Sequence, residues 1–239
     1  MILDHLLTNV ELRCNHDVTG NQGAQLVLDA TSPLPPNAPM NREKSICVYC
    51  GSSPGADPAF AAAALELGRA IAGAGHRLVY GGGNVGLMGI TAHAVLNAGG
   101  AVTGIIPDFL KRHENMLEGV DELIVTQDMH ERKMLMFDKS DAFVALPGGI
   151  GTLEELVEQL TWAQLGRHTK PIVVANVGGF WDPLSDLFAH MNSQAFLRQD
   201  TDLQFQSIDR VTDIVPHIES LWQISMPDEA EDQAILERF

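Results

Sequence analysis

The chain has 239 residues, and 45% of them are hydrophobic, which is enough to bury one core of the size that a single α/β domain uses. Its formal net charge is −16, which argues against binding to nucleic-acid backbones or anionic membranes, since both need a basic surface. No segment is apolar over the length that spans a bilayer, and the first residues lack the basic region of a signal peptide. We therefore expect a cytoplasmic protein that binds neither nucleic acid nor membrane.

The two ends of the chain differ from its middle. Residues 1–43 are predicted to be an extension that ends in a linker, because the proline-rich run over residues 31–39 can neither continue a helix nor enter a sheet. Apolar residues at helical spacing over residues 3–10 leave open a short amphipathic helix that docks on a partner subunit. Residues 226–239 form an acidic tail, and residues 44–225 are predicted to be a single folded domain.

Strand and helix patterns alternate from Ser45 onward, with short connections between most of them. The predicted strands cover residues 45–49, 77–80, 101–106, 122–126, 142–146 and 171–176. The predicted helices cover residues 58–74, 86–97, 129–140, 153–165, 183–191 and 211–222. Alternating strands and helices imply a Rossmann-like α/β fold, with a mainly parallel sheet and helices on both faces.

A glycine-rich loop follows the second predicted strand and leads into a helix. Gly81, Gly83 and Gly86 match the dinucleotide-binding spacing G-x-G-x-x-G, and Asp108 follows the next strand, roughly where an acid that binds ribose is expected. This match alone is weak, because it falls in the second strand–helix unit instead of the first. A further glycine loop occurs later in the chain, and two loops that face one nucleotide account for both.

The later glycine loop is Leu-Pro-Gly-Gly-Ile-Gly-Thr-Leu-Glu-Glu, over residues 146–155, between a strand pattern and a long helix pattern. Its glycines let the backbone turn sharply and approach a ligand, and the helix behind them directs unpaired N–H groups and a positive dipole end at an anion. A structural alternative exists, because Thr152 and Glu155 have the spacing of a capping box. Capping requires neither three glycines nor a second acid at Glu154, so the loop is predicted to bind phosphate.

Three cysteines, Cys14, Cys47 and Cys50, do not indicate a disulfide framework, since their number is odd. Cys47 and Cys50 have the C-x-x-C spacing of metal and redox sites. However, residues three apart on a strand point to opposite faces, and no second Cys or His pair completes a site. Both are predicted to be strand residues, and the chain is predicted to hold neither a metal nor a cofactor.

Three motifs occur together in this chain. They are Val-Tyr-Gly-Gly-Gly-x-x-Gly-Leu-Met-Gly from Val79, Asp-Met-His-x-Arg-Lys from Asp128, and Pro-Gly-Gly-x-Gly-Thr-x-x-Glu from Pro147. As a set they resemble the Lonely Guy (LOG) family of cytokinin riboside 5′-monophosphate phosphoribohydrolases. Many members of that family carry the label lysine decarboxylase. No lysine here stands in an evident pyridoxal-phosphate context and the glycine loops suit a nucleotide, so the phosphoribohydrolase interpretation is preferred.

The resemblance implies an N-glycosyl hydrolase that cleaves a purine riboside 5′-monophosphate to free base and ribose 5-phosphate. The substrate is AMP or an N6-modified, cytokinin-type nucleotide, and the sequence leaves that choice open. Arg132 and Glu155 are implied to be the catalytic pair. The implied substrate contacts are Gly82, Gly83, Glu114, Lys133, Gly148, Gly149, Ile150, Gly151, Thr152, Leu153, Glu154 and Thr161. A homo-oligomer, a dimer or an assembly of dimers, is implied as well, with groups from the neighbouring subunit completing each site.

The residue types of the implied pair also fit the chemistry. By analogy with glycosides, an N-ribosyl bond breaks through an oxocarbenium-like sugar, which needs a nearby carboxylate. Glu155 lies near a helix N-terminus, so we expect it to stay ionised and to stabilise the cation or orient water. Arg132 provides a fixed positive charge for phosphate or for the leaving group. His130 is interpreted as a capping or supporting residue in preference to an acid–base group.

A second class of function is left open by the sequence. Molybdenum cofactor carrier proteins of the same superfamily hold a phosphorylated cofactor without cleaving it. The combination of Arg132, Lys133 and Glu155 favours the enzyme.

Two further segments of the sequence give expectations about structure. The long polar loop over residues 107–119 either closes over the ligand or is an ordinary surface loop. Four methionines, Met88, Met129, Met134 and Met136, are predicted to pack in the core.

Overall fold

The computed structural model describes residues 44–111, 115–197 and 205–224. The predicted extension, the predicted acidic tail and Glu114 lie outside these ranges, so the domain boundaries remain predictions. Within the described ranges, no helix combines the length and the apolar character needed to cross a membrane.

Seven strands form one sheet in the described part of the chain: β1 (Ser45–Tyr49), β2 (Arg77–Tyr80), β3 (Val102–Pro107), β4 (Glu122–Thr126), β5 (Ala142–Ala145), β6 (Ile172–Ala175) and β7 (Gln206–Ile208). Their order across the sheet is β4-β3-β2-β1-β5-β6-β7. Each neighbouring pair is parallel. Six α-helices are described with them: α1 (Pro58–Gly73), α2 (Gly86–Asn97), α3 (Met129–Asp138), α4 (Ile150–Gln164), α5 (Asp182–Ser193) and α6 (Ile214–Ile224).

Side chains alternate along each strand and so build two separate cores, one on each face of the sheet. On β1, Ile46 and Val48 pack with residues of α1, α2 and α6. Cys47 and Tyr49 point the other way and pack with residues of α3, α4 and α5. The predicted Rossmann-like fold is confirmed, with a parallel sheet between two helical layers.

Two elements differ from their predicted form. Strand β7 was not predicted, because its three residues are partly exposed at the sheet edge and carry no apolar run. Helix α4 begins at Ile150 after an extended Gly149, three residues before the predicted start, and no side chain caps it. Thr152 is therefore the third residue of the helix and Glu155 the sixth, so the capping-box alternative is wrong.

Candidate active site

The sheet order brings together two strand ends that are far apart in the chain. From β1 the sheet extends to β2, β3 and β4 on one side, and from β5 to β6 and β7 on the other. In open α/β sheets, ligands bind beyond the carboxyl ends of the strands where the order reverses. A cavity of about 420 Å³ opens at this crevice. It is lined by Val48, Tyr49, Cys50, Gly51, Ser52, Gly81, Met88, Leu110, Met129, Arg132, Met136, Gly149, Ile150, Gly151, Thr152, Glu154 and Glu155.

The loop after β5 forms one wall of the cavity. Gly149 and Gly151 have open space where a side chain would stand. At Gly148 a Cβ atom would collide with Thr152, which is buried beneath the loop. The first-turn N–H groups of α4 have no side-chain cap and lie beside a cavity wall made of glycine backbone. This arrangement suits an anion such as a phosphate group, which can approach the backbone closely.

Arg132 and Glu155 face each other in the cavity. Nη2 of Arg132 lies 3.6 Å from Oε1 of Glu155, and their side chains are only 7% and 11% exposed. That distance makes an ion pair but is too long for a strong hydrogen bond. Nε of Arg132 is buried and has no hydrogen-bond partner among the described residues. A buried donor without a partner is costly and calls for a functional explanation.

Two local features place Arg132 in the cavity. Helix α3 begins at an ordinary cap, in which the Asp128 carboxylate accepts the N–H of Glu131 and the Glu131 carboxylate accepts the N–H of Gln127. At the end of β2, a Cβ atom on Gly81 would collide with the Arg132 guanidinium, so glycine leaves the room that this side chain occupies. His130 is exposed and does not cap the helix, so that part of its predicted role is wrong.

Another part of the cavity wall comes from the loop after β1, which was not predicted as a binding segment. Gly51 and Ser52 line the cavity. The Gly51 N–H donates to the Pro147 carbonyl at 3.1 Å, which joins the loops after β1 and β5. The Leu87 N–H donates to the Gly51 carbonyl at 3.0 Å, and Gly86 packs directly on the Ser52 backbone. The signal in the sequence was Cys-Gly-Ser-Ser directly after a buried strand, the same strand–glycine pattern as in the other two loops.

The glycine loop after β2 therefore mainly supports the site: Gly81 lines the cavity, but Gly82 and Gly83 do not. Gly82 has a left-handed φ of 77° and packs against Ile106, and Gly83 pairs with Met116 in an isolated bridge. Both glycines are buried and neither lines the cavity, so their predicted substrate contact is not seen. The same pairing ties the described part of the loop over residues 107–119 to this glycine loop. Asp108 is exposed and pairs with Lys111, which does not support a ribose-binding role.

The other predicted substrate contacts divide into three groups. Ile150, Gly151, Thr152 and Glu154 line the cavity with Gly149. Leu153 and Gly148 do not line this cavity, although Gly148 lines a second cavity. Lys133 and Thr161 line neither cavity: Lys133 binds Glu154 and Glu158, and Thr161 is exposed and donates to the Val157 carbonyl at 2.8 Å.

Two ionisable residues of β1 stand near the site: Tyr49 lines the cavity, and Cys47 is fully buried and does not line it. Burial, together with the nearby Glu155 carboxylate, raises the pKa of the Cys47 thiol to about 12. Burial also holds the pKa of Tyr49 well above its ordinary value. Cys47 is thus a protonated packing residue and no nucleophile. Met88, Met129 and Met136, predicted to pack in the core, also line the cavity, where their flexible side chains can adapt to a ligand.

A second cavity of about 270 Å³ adjoins the first. The two share Gly51, Ser52 and Gly149. Phe60, Leu87 and Phe180 give the second cavity apolar walls, and the Phe60 and Phe180 rings pack edge to face at 5.5 Å. A cavity that contains the charged pair Arg132 and Glu155 thus adjoins a cavity with apolar walls. Among the described residues, no group of three or more His, Cys, Asp or Glu side chains could hold a metal ion.

Comparison with known proteins places this chain in a family. The family model described as "Possible lysine decarboxylase" matches residues 88–218. A probable cytokinin riboside 5′-monophosphate phosphoribohydrolase of Oryza sativa subsp. japonica is 49% identical over 163 residues, 68% of this chain and 73% of that protein. The cytokinin riboside 5′-monophosphate phosphoribohydrolase of Rhodococcoides fascians is 47% identical over 155 residues, 64% of this chain and 78% of that protein.

A solved structure is also similar. The molybdenum cofactor binding protein from the phototrophic bacterium Rippkaea orientalis aligns with a TM-score of 0.59 and 28% sequence identity. The alignment covers 76% of this chain and 98% of that one.

Proposed function

Because the chain belongs to the LOG family of cytokinin riboside 5′-monophosphate phosphoribohydrolases, we propose that it hydrolyses the N-glycosidic bond of a purine riboside 5′-monophosphate. The products are the free base and ribose 5-phosphate. The observation that carries this proposal is the buried Arg132–Glu155 pair beside an uncapped, glycine-walled helix N-terminus. That combination provides an anion site and a carboxylate within one cavity, as N-ribosyl hydrolysis requires.

The roles of the residues follow from their chemistry. The 5′-phosphate binds the backbone N–H groups at Gly149 to Gly151, where the two glycines have no side chain to block its approach. The carboxylate of Glu155 stabilises the positive charge that develops on the sugar, or orients the water that attacks it. Arg132 balances the negative charge of the phosphate or of the departing base with its fixed positive charge. Because Glu155 stands in the second turn of α4, Arg132 is its nearer source of positive charge and the helix dipole adds less.

The lysine decarboxylase description of the family model does not fit this cavity. A pyridoxal-phosphate enzyme holds its cofactor as a Schiff base on a lysine. No lysine lines the cavity in the described part of the chain. Lys133, which follows Arg132 directly, is held by two carboxylates of α4.

Binding of a phosphorylated cofactor without hydrolysis is the second candidate function. It is favoured by the similarity to the molybdenum cofactor binding protein of Rippkaea orientalis. The phosphoribohydrolases are more similar in sequence, at 47% to 49% identity against 28%. A carrier also has no need of a carboxylate facing the bound group. The enzyme is therefore the better supported of the two.

A product assay separates the two functions. Purified protein is incubated with AMP and, separately, with N6-isopentenyl-AMP, and free base and ribose 5-phosphate are quantified by chromatography. The apolar second cavity is the reason for including the N6-modified substrate. Release of base in equimolar amount to ribose 5-phosphate supports the hydrolase, whereas nucleotide that is bound and recovered intact supports the carrier. The choice between these substrates, the cytoplasmic location and the oligomeric state remain predictions.

A further inference from the structure

Lys133 makes contacts that a substrate ligand would not be expected to make. Its Nζ atom lies 2.6 Å from Oε1 of Glu154 and 3.0 Å from Oε1 of Glu158. Both acids belong to α4 and stand one helical turn apart, so they present their carboxylates on one side of that helix. Lys133 itself belongs to α3. The ammonium group therefore joins two helices and does not line the cavity between them.

The contact with Glu158 is largely shielded from water. The Lys133 and Glu158 side chains are only 16% and 20% exposed. The second oxygen of Glu158, Oε2, is buried and has no hydrogen-bond partner among the described residues. Burial lowers the pKa of Lys133, but the hydrogen bonds to Glu154 and Glu158 outweigh it and leave the pKa above its ordinary value. Two of the three N–H donors of Lys133 are thus engaged by carboxylates, and Glu158 depends on Lys133 for charge compensation.

This bridge lies directly beside the proposed reactive pair. Lys133 follows Arg132 on α3, and Glu154 precedes Glu155 on α4. The Arg132–Glu155 contact of 3.6 Å is too long for a strong hydrogen bond, so it does not by itself hold the two helices at a fixed distance. The shorter contacts of Lys133 with Glu154 and Glu158 link the same two helices.

We propose that Lys133 is a positioning residue, which holds α3 against α4 through Glu158 and so sets the separation of Arg132 and Glu155, and that it is no ligand of the substrate phosphate. The consequence for catalysis rests on the function proposed above. The bridge itself does not, since it can be measured in the folded protein without substrate.

The test is a double-substitution cycle with Lys133→Met, Glu158→Gln and the double variant, and with Lys139→Met as the matched control. Lys139 follows the last residue of the same helix and pairs with Glu122 on β4. Melting temperatures are measured for all variants, together with kcat and KM for the better substrate and inhibition by ribose 5-phosphate. Lys133→Met leaves the Glu158 carboxylate without its positive partner, so it should lower the melting temperature by about 4 °C or more. Adding Glu158→Gln should restore part of that loss, because the buried charge is removed.

The kinetic expectation separates positioning from binding. Lys133→Met should lower kcat by about tenfold, with inhibition by ribose 5-phosphate changed less than about twofold, because the phosphate site is intact. Lys139→Met should leave both unchanged. Weakening of ribose 5-phosphate inhibition by about tenfold with kcat retained would make Lys133 a phosphate ligand and overturn the proposal. If the wild-type protein releases no base, the proposed function fails, and additive melting-temperature losses in the cycle would separately overturn the bridge.

Discussion

At the scale of single residues, a substitution of Glu155 can distinguish a chemical role of its carboxylate from a structural one. It is buried in the second turn of α4, outside any capping position. Gln has nearly the same shape but no charge, so Glu155→Gln should keep the fold while lowering the rate of base release by about a hundredfold or more. Arg132→Ala should have an effect of the same size. The measurement is turnover of a nucleoside monophosphate together with thermal unfolding. Near-wild-type turnover by Glu155→Gln would leave the site without its carboxylate.

Gly151 provides a test in which stability and activity change in opposite directions. A Cβ atom there meets no protein atom, and Ala favours a helix over Gly. Gly151→Ala should therefore raise the free energy of unfolding by about 0.5 kcal/mol. The same methyl group would stand where the phosphate approaches the backbone, so activity should fall by about tenfold or more. Gly73→Ala, at the end of α1 and also in open space, is the control that should add stability and leave activity unchanged.

At the scale of elements, the period of apolar residues was sufficient to predict most of the fold. The bounds of β1, β2, β4 and α2 agree with the structure, because each has a clear apolar run in the sequence. The start of α4 was misplaced because Gly-Ile-Gly was assigned to the loop. Gly149 adopts the extended backbone conformation, and the residues from Ile150 onward are already helical.

Part of the site depends on information that no local pattern contains. The loop after β5 and the Arg132–Glu155 pair could be predicted, since the glycines, the charge and the resemblance all coincide there. Gly51 and Ser52 were missed because their importance follows from the pairing of β1 with β5, which are separated by almost a hundred residues. That order in space decides where the crevice opens. For the same reason Gly82 and Gly83 were assigned to the ligand although they pack against β3 and its following loop.

His168 links the end of α4 to the segment before β6 and gives a prediction for pH. Its Nε2–H donates to the Gln159 carbonyl and its Nδ1 accepts the N–H of Lys170, which requires the neutral imidazole. Burial lowers the pKa of His168, and the neighbouring cations Lys170 and Arg167 lower it further. The unfolded state therefore binds the proton first as pH falls. The stability that His168 contributes is complete above its unfolded pKa, about 6.5, and is lost on acidification below it.

The expected result is a free energy of unfolding that falls between pH 7.5 and 5.5, measured by urea titration. His168→Gln should flatten this slope, since the titrating group is removed. His190→Gln, which replaces an exposed histidine on α5, is the matched control and should keep the wild-type slope. An unchanged slope in His168→Gln would assign the pH dependence to other groups.

At the scale of the whole molecule, the first question is what residues 1–40 do. Every strand, helix and loop of the described site follows them. We expect a protein that lacks residues 1–40 to remain soluble, to unfold at the wild-type temperature and to release base at the wild-type rate. Expression yield, thermal unfolding and the product assay check this. Loss of soluble protein or of activity would show that the extension belongs to the active assembly.

The second question is whether the site is complete in one subunit. Leu156 and Leu160, two apolar residues of α4, pack on the sheet within the subunit. A different stripe of α4 remains exposed: Ile150, Val157 and Leu165 are 82%, 38% and 69% exposed, and Thr161 lies among them. Their spacing places all four on one side of the helix. The stripe starts at the cavity and runs away from it.

Thr161 is the residue that makes this stripe informative. It stands six residues beyond Glu155, about 9 Å along the helix, and lines neither cavity of its own subunit. The contact with substrate that the resemblance implies is therefore reasonable only if α4 of one subunit lies across the cavity of another. An exposed apolar stripe that begins at the cavity is suited to such packing. We predict a dimer, or an assembly of dimers, with α4 in its interface.

Val157→Lys introduces a charge in the middle of that stripe and should yield monomers at micromolar concentration, with activity lowered by about tenfold or more because each site loses its neighbour. Leu187→Lys is the matched control, since Leu187 is 46% exposed on α5, away from the cavity. Its mass and activity should remain those of the wild type. Light scattering and the product assay are run on the same samples. A wild-type protein that is monomeric and fully active would refute the shared site and leave Thr161 as a surface residue.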